Sequence, residues 1–176
     1  NSGQDVHNRP YHFTSHHRLA RPREPWEQLK IGGGTQPILT RHGWLMVYHG
    51  VQKITEPGTS IGKLCYSAGV MVLSETRPNF ILYRAADPVL EPASAEEHRG
   101  TVDNVVFPTG IDRRDDLGTP DRLDIYYGMA DSRIGVARLM VPEALTPRST
   151  ADAPPTSDFR PVPPAPNQSL LRPPPP

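Results

Sequence analysis

The chain reads as an all-β protein made of small repeated sheets. Three observations carry this. Short runs rich in β-branched and aromatic residues alternate with turn clusters. No segment holds a helical period. A strand–loop–strand unit occurs twice: Gly43-Trp44-Leu45-Met46-Val47-Tyr48-His49-Gly50 is followed by Tyr66-Ser67-Ala68-Gly69-Val70-Met71-Val72-Leu73, and Arg122-Leu123-Asp124-Ile125-Tyr126-Tyr127-Gly128 by Arg133-Ile134-Gly135-Val136-Ala137-Arg138-Leu139. In each unit a strand ends in aromatic–polar–Gly and a Gly-containing strand returns.

Taken in order, strands are expected over 44–48, 64–73, 80–83, 102–107, 123–127 and 134–140. The turn clusters are Glu56-Pro57-Gly58, Arg77-Pro78-Asn79 and Asp115-Asp116-Leu117-Gly118. A repeated small β unit predicts propeller blades. Blades take about 40–50 residues and closed rings about 4–8 of them. Residues 18–145 therefore hold about two to three blades of a partial propeller. That number cannot close a ring and leaves an open sheet edge, so the chain is expected to be a fragment. Residues 1–17 form a poorly defined leading segment. It starts at Asn1 rather than Met, and the natural N-terminus is expected upstream. Residues 146–176 hold 11 of the 22 prolines and end in Pro173-Pro174-Pro175-Pro176. That composition predicts a disordered or polyproline-like tail. It contains a Pro-x-x-Pro spacing, Pro161 to Pro164, that would suit a partner domain, but a solvated tail or the product of a truncated reading frame explains it better.

Composition removes several function classes. The 19 basic residues balance the 19 acidic ones, so no positive field for nucleic acid exists. No apolar run approaches the roughly 20 residues of a membrane span. Cys65 is alone, which excludes an internal disulfide and fits a reducing, cytoplasmic setting. A neutral ligand such as a sugar is the partner this balance favours. Self-association is left open.

Several stretches, in order, resemble glycoside hydrolase family 130. They are Trp26-Glu27-Gln28-Leu29-Lys30-Ile31-Gly32-Gly33-Gly34-Thr35-Gln36-Pro37-Ile38, then Thr40-Arg41-His42-Gly43-Trp44-Leu45-Met46-Val47-Tyr48-His49-Gly50-Val51. Leu82-Tyr83-Arg84 and Pro88-Val89-Leu90-Glu91-Pro92 follow, then Asn104-Val105-Val106-Phe107-Pro108-Thr109-Gly110 and Tyr126-Tyr127-Gly128-Met129-Ala130-Asp131. The resemblance implies a five-bladed β-propeller. It implies inverting phosphorolysis of β-mannosides to α-mannose 1-phosphate, with inorganic phosphate as co-substrate and no cofactor. Some members hydrolyse the linkage instead. The expected partners are a β-mannoside oligosaccharide and phosphate. The alternatives are an inactive truncated fragment and a β-mannoside hydrolase. A propeller glycosidase with a carboxylate pair, such as an arabinanase-like enzyme, suits the Lys-Ile-Gly and Tyr-His-Gly stretches poorly.

By the same resemblance, Lys30, His49 and Tyr66 would hold phosphate, Lys30 beside backbone N–H groups of Ile31-Gly32-Gly33-Gly34. His49 would donate a hydrogen bond to phosphate or to a mannose hydroxyl. Phe107 would stack on the sugar and Asp131 would accept from its hydroxyls. The family's general acid and its phosphate-holding arginines belong to an earlier blade. The 29 residues before Lys30 contain one aspartate, Asp5, in surroundings that do not match. No catalytic residue is therefore assigned within the chain. Away from the site, Asp124 alternates with apolar neighbours and is expected to face solvent. Glu96, Glu97, Asp112, Asp115 and Asp116 are expected in solvated loops. Cys65 is expected to be buried. His12, His16 and His17 lack partner carboxylates and are not read as a metal site.

Overall fold

A computed structural model describes residues 17–55, 62–119 and 121–145. Asp5, His12 and His16, the turn at Glu56 and the proline-rich tail lie outside them. Every element belongs to one unit, Leu19–Pro154; of the other, Asn1–Arg18 with Pro155–Pro176, only residues 17 and 18 are described. The strands are β1 Lys30–Gly32, β2 Ile38–Thr40, β3 Gly43–Thr55, β4 Gly62–Leu73, β5 Ile81–Arg84, β6 Val106–Arg113, β7 Arg122–Met129 and β8 Arg133–Met140. They form two antiparallel sheets. In the first, β1 and β2 both pair with β3, and the order continues through β4 to β5. The second runs β6–β7–β8. The two repeated units are the β3–β4 and β7–β8 hairpins.

The long β3–β4 hairpin explains how the sheets pack. Its twelve residue pairs run from Trp44↔Leu73 to Thr55↔Gly62. Side chains alternate between faces. Leu45 and Val47 of β3 join Ala68, Val70 and Val72 of β4 on one face, and these pack on Val106, Ile111, Leu123, Ile125 and Tyr127 of the second sheet. On the other face Tyr48, Met71 and Leu73 pack on Trp26 and Ile81. Each buried Val, Leu or Ile contributes about 1.5–3 kcal/mol relative to exposure, so the inter-sheet layer is the principal glue. At one end the β2–β3 turn reaches the second sheet. His42 Nε2 lies 2.8 Å from the Pro142 carbonyl oxygen, Arg41 pairs with Asp121, and the Arg113 guanidinium donates to the Leu39 carbonyl. A small apolar cavity of about 60 Å³ between the sheets is lined by Val47, Ala68, Leu90, Ile125 and Leu139 among others.

Several sequence expectations need correction. The strand expected over 102–107 is displaced: β6 starts at Val106 and runs to Arg113. Asn104 takes φ 58°, which interrupts the extended chain before it. Asn tolerates that region through its short polar side chain. Pro108 sits inside β6, where the register shifts between Pro108 and Gly110 and so accommodates the missing N–H. A short helix, α1 (Ala95–His98), was not foreseen, although Ser94-Ala95-Glu96-Glu97 is a capping-box sequence. Glu97, expected in a solvated loop, is buried at 5% exposure. Its carboxylate accepts from the Ala93 and Ser94 N–H groups, both at 2.8 Å, and from the Tyr127 hydroxyl at 2.7 Å. Asp124, expected to face solvent, is also buried, because Arg114 (2.9 Å) and Arg122 (3.1 Å) close over it. Asp112 lies on β6 rather than in a loop, exposed as Asp115 and Asp116 are. Cys65 is half-buried rather than buried. Burial nonetheless pushes its thiol above the usual pKa, against the Ser67 hydroxyl contact, so the thiolate is disfavoured.

Candidate functional site

Cross-strand pairing places the site. Lys30 of β1, Val51 of β3 and Tyr66 of β4 stand in one row across three strands. The next row is Gly32, His49 and Ala68. His49 follows the alternation of Val47 and Val51 and so points toward the second sheet. Its row neighbours are the two smallest choices, Gly and Ala, which leaves room for the ring. A Cβ at Gly32 would stand 2.3 Å from His49 Cε1 and one at Gly34 would stand 2.4 Å from the Val47 carbonyl oxygen. Two of the three glycines thus serve close approach.

Four of the five expected site residues come together. The His49 ring lies 4.4 Å from the Phe107 ring centroid on β6 and 6.0 Å from that of Tyr66. The Lys30 ammonium sits over the Tyr66 ring, 5.3 Å from its centroid. The Tyr66 N–H donates to the Asn104 carbonyl at 2.9 Å, which ties β4 to the segment leading into Phe107. The site is therefore built between sheets and by both. Asp131 makes no hydrogen bond or ion pair with these four. It lies on the β7–β8 turn, where Ala130 and Asp131 take φ 47° and 50° and Ser132 N–H closes on the Met129 carbonyl at 3.0 Å. That turn stands at the Val106 end of the second sheet, beside Phe107, since Met129 pairs with Val106.

The cluster carries one charge, the Lys30 ammonium. Lys30, His49 and Tyr66 make no ion pair or hydrogen bond to any carboxylate of the described residues. His49 Nδ1 lies 2.8 Å from the Gly33 carbonyl oxygen. Burial lowers the His49 pKa below the usual value; the Gly33 bond opposes this and the Lys30 ammonium adds to it. The ring is therefore neutral at pH 7. Among the described residues no cluster of three or more His, Cys, Asp or Glu could hold a metal ion.

Behind His49, on the opposite face of β3, is a network that sequence reasoning missed. The Tyr48 hydroxyl donates to Glu27 at 2.5 Å, Arg84 Nη2 donates to Glu27 at 2.7 Å, and Arg84 Nε donates to the Tyr48 oxygen at 3.1 Å. Glu27 and Arg84 are fully buried. Burial, together with the Glu27 bond, holds the Tyr48 hydroxyl far above the usual tyrosine pKa. Glu27, Tyr48 and Arg84 each lie in a stretch quoted above, but their separation along the chain hides the pairing.

Two antiparallel sheets packed face to face, with one ammonium, one imidazole and two aromatic rings gathered where they meet, fit adjacent blades of a partial propeller. The chain belongs to glycoside hydrolase family 130: the family model, described as beta-1,4-mannooligosaccharide phosphorylase, matches residues 5–146. Its two sheets are accordingly two blades of that family's five-bladed propeller. A curated beta-1,4-mannooligosaccharide phosphorylase from Ruminococcus albus is 36% identical over 126 residues, 72% of this chain and 35% of the relative. The solved beta-1,2-mannobiose phosphorylase of Listeria innocua, in complex with beta-1,2-mannobiose, matches with TM-score 0.54 and 32% identity over 68% of this chain and 30% of that one. A second solved structure, from work describing glycoside hydrolases of the family that target beta-1,2 mannosidic linkages in Candida mannan, matches with TM-score 0.55 and 27% identity over 74% of this chain and 36% of that one. The chain thus spans about a third of the length of these relatives.

Proposed function

We propose that this chain supplies the phosphate-facing and part of the sugar-facing wall of a β-mannoside phosphorylase site. One observation carries the reading: the side chains of Lys30, His49 and Tyr66 gather without a carboxylate partner among the described residues. A buried polar group without a partner is costly, which applies to His49; an anionic ligand there would also meet the exposed Lys30 ammonium and the half-buried Tyr66. Phosphate would rest on Lys30, His49 and Tyr66. Phe107 would offer its ring to an apolar sugar face, and Asp131 would accept from sugar hydroxyls at the turn. In the inverting reaction a phosphate oxygen attacks the anomeric carbon opposite the leaving sugar, and a proton passes to the leaving oxygen. The product is α-mannose 1-phosphate. The proton donor would come from residues beyond those gathered here, since no carboxylate of the described residues is hydrogen-bonded or ion-paired to the cluster.

The hydrolytic reading has one point in its favour, the related structure associated with hydrolases. Water, however, needs no cationic cradle. The test is phosphate release from α-mannose 1-phosphate with a panel of acceptor sugars, on this chain and on the same chain fused behind the first two thirds of the Listeria innocua relative. The expected result is release by the fusion alone. Release by the isolated chain would show that it builds a complete site. Cleavage of β-mannosides by the fusion at a phosphate-independent rate would establish hydrolysis.

A further inference from the structure

The His49 side chain is over nine-tenths buried, at 7% exposure, and one of its two ring nitrogens is spoken for. Nδ1 lies 2.8 Å from the Gly33 carbonyl oxygen. A carbonyl only accepts, so Nδ1 carries the hydrogen. In the neutral ring this leaves Nε2 as an acceptor. Nε2 has no protein partner among the described residues. Gly32 leaves it uncovered, where a Cβ would come within 2.6 Å. The rings of Phe107 and Tyr66 flank the imidazole, at 4.4 and 6.0 Å between centroids. Exchanging the two nitrogens would therefore break the Gly33 bond inside a packed site.

Among the described residues, four groups face this ring. The Lys30 ammonium comes from β1, the Tyr66 phenol from β4, the uncharged Phe107 from β6 and the Gly33 carbonyl from the loop after β1. Lys30 is the only charge among them, and it disfavours a cationic imidazole.

We propose that His49 reads the protonation state of the bound oxyanion: Nε2 accepts a hydrogen bond from the P–OH of hydrogen phosphate, and an oxyanion without a proton is rejected. The inference rests on the phosphate-site reading above and reverses the donor role expected from sequence. At neutral pH inorganic phosphate still carries a proton and sulfate carries none. Sulfate would set an oxygen lone pair against the Nε2 lone pair. It could bind only if the ring took up a proton, against burial and Lys30. Turning the P–OH toward Nε2 also turns unprotonated phosphate oxygens toward the sugar, where a nucleophile is needed.

The experiment is long-range ¹H–¹⁵N NMR on the full 176-residue chain with labelled histidines. The His49 signal is assigned by its loss in His49→Asn, whose amide can still donate to the Gly33 carbonyl but offers no Nε2. The expected resting state at pH 7 is a protonated Nδ1 and a bare Nε2. Added phosphate should move Nε2, and sulfate at equal ionic strength should not. His49→Asn, with its fold checked by circular dichroism, should bind phosphate about tenfold more weakly, the loss of one hydrogen bond to a charged ligand, and should lose the preference over sulfate. A resting Nε2–H or cationic ring overturns the inference. So do equal shifts with sulfate, an Nε2 shift with mannose alone, or a preference unchanged in the variant; in these cases the phosphate site itself can stand. Indifference of His49 to both anions overturns the inference and the phosphate-site reading together.

Discussion

Gly32, between Lys30 and the imidazole, shows how tightly single residues set this site. Gly32→Ala would place a Cβ 2.3 Å from His49 Cε1, and the ring would have to leave its seat against Gly33. The expected outcome is loss of the Nδ1–Gly33 hydrogen bond, read as a changed His49 tautomer signal, with a stability loss of about 1–3 kcal/mol from overpacking. Behind the site, Glu27 and Arg84 form a fully buried pair. Glu27→Ala would leave the Arg84 charge buried with its best partner gone. Breaking such a pair costs about 3–5 kcal/mol, which urea unfolding would read directly. Replacing both members by apolar residues, as in E27M with R84M, should cost less than the single change. The sequence made Lys30, His49, Tyr66 and Phe107 visible through the motifs that contain them. It did not show Glu27 and Arg84 as partners, because 57 positions separate them and only pairing across the sheet brings them together.

The β3–β4 hairpin and helix α1 behave differently as elements. Gly43 opens β3 at φ +118°, and a Cβ there would stand 2.3 Å from the Leu73 carbonyl oxygen opposite the strand end. Gly43→Ala should therefore cost about 1–3 kcal/mol through a strained φ, and more if the clash moves Leu73. A lowered melting temperature with unchanged β-sheet circular dichroism would be the signature. Helix α1 is short, and one carboxylate secures it. Burial favours the neutral form of Glu97, but the Ser94 and Ala93 N–H groups and the Tyr127 hydroxyl outweigh it and hold its pKa below the ordinary 4.5. The folded pKa is the lower one. The stability it contributes is therefore fully present above the unfolded value and is lost as pH falls through the folded value. Glu97→Gln should be destabilised at pH 7 and should show a shallower acid limb below pH 4.5 than the parent in a pH series of unfolding curves. The capping box was readable in Ser94-Ala95-Glu96-Glu97. A four-residue helix is too short to show a helical period, which is why the element escaped a search by periodicity.

The whole molecule is defined by what its two blades cover and what they leave open. The first sheet closes beyond β4 with β5, whereas β8, the counterpart of β4 in the repeat, ends the second sheet among the described residues. Ile134 and Val136 on β8 are 83% and 58% exposed. An unpaired apolar edge strand recruits other strands. The isolated chain should associate as concentration rises, seen as growing light-scattering mass, and Val136→Lys should suppress it without lowering the melting temperature. A monodisperse chain across the same range would overturn the expectation.

The sequence by itself determined the class of fold, most strand positions, the repeat and the family, because alternation, turn residues and family motifs are local properties of neighbouring residues. It also marked the candidate site residues by type. The tertiary structure alone decided which of them meet. Register set Gly32, His49 and Ala68 in one row and Lys30, Val51 and Tyr66 in the next, and inter-sheet packing brought Phe107 against the imidazole. It buried Asp124 and Glu97, which read as solvated, because arginines and backbone N–H groups from other elements came to them. The Gly33 carbonyl took the Nδ1 hydrogen of His49 and left Nε2 as an acceptor, where the sequence suggested a donor. Each of these depends on a partner distant in the chain, and no local pattern encodes where a distant partner will stand.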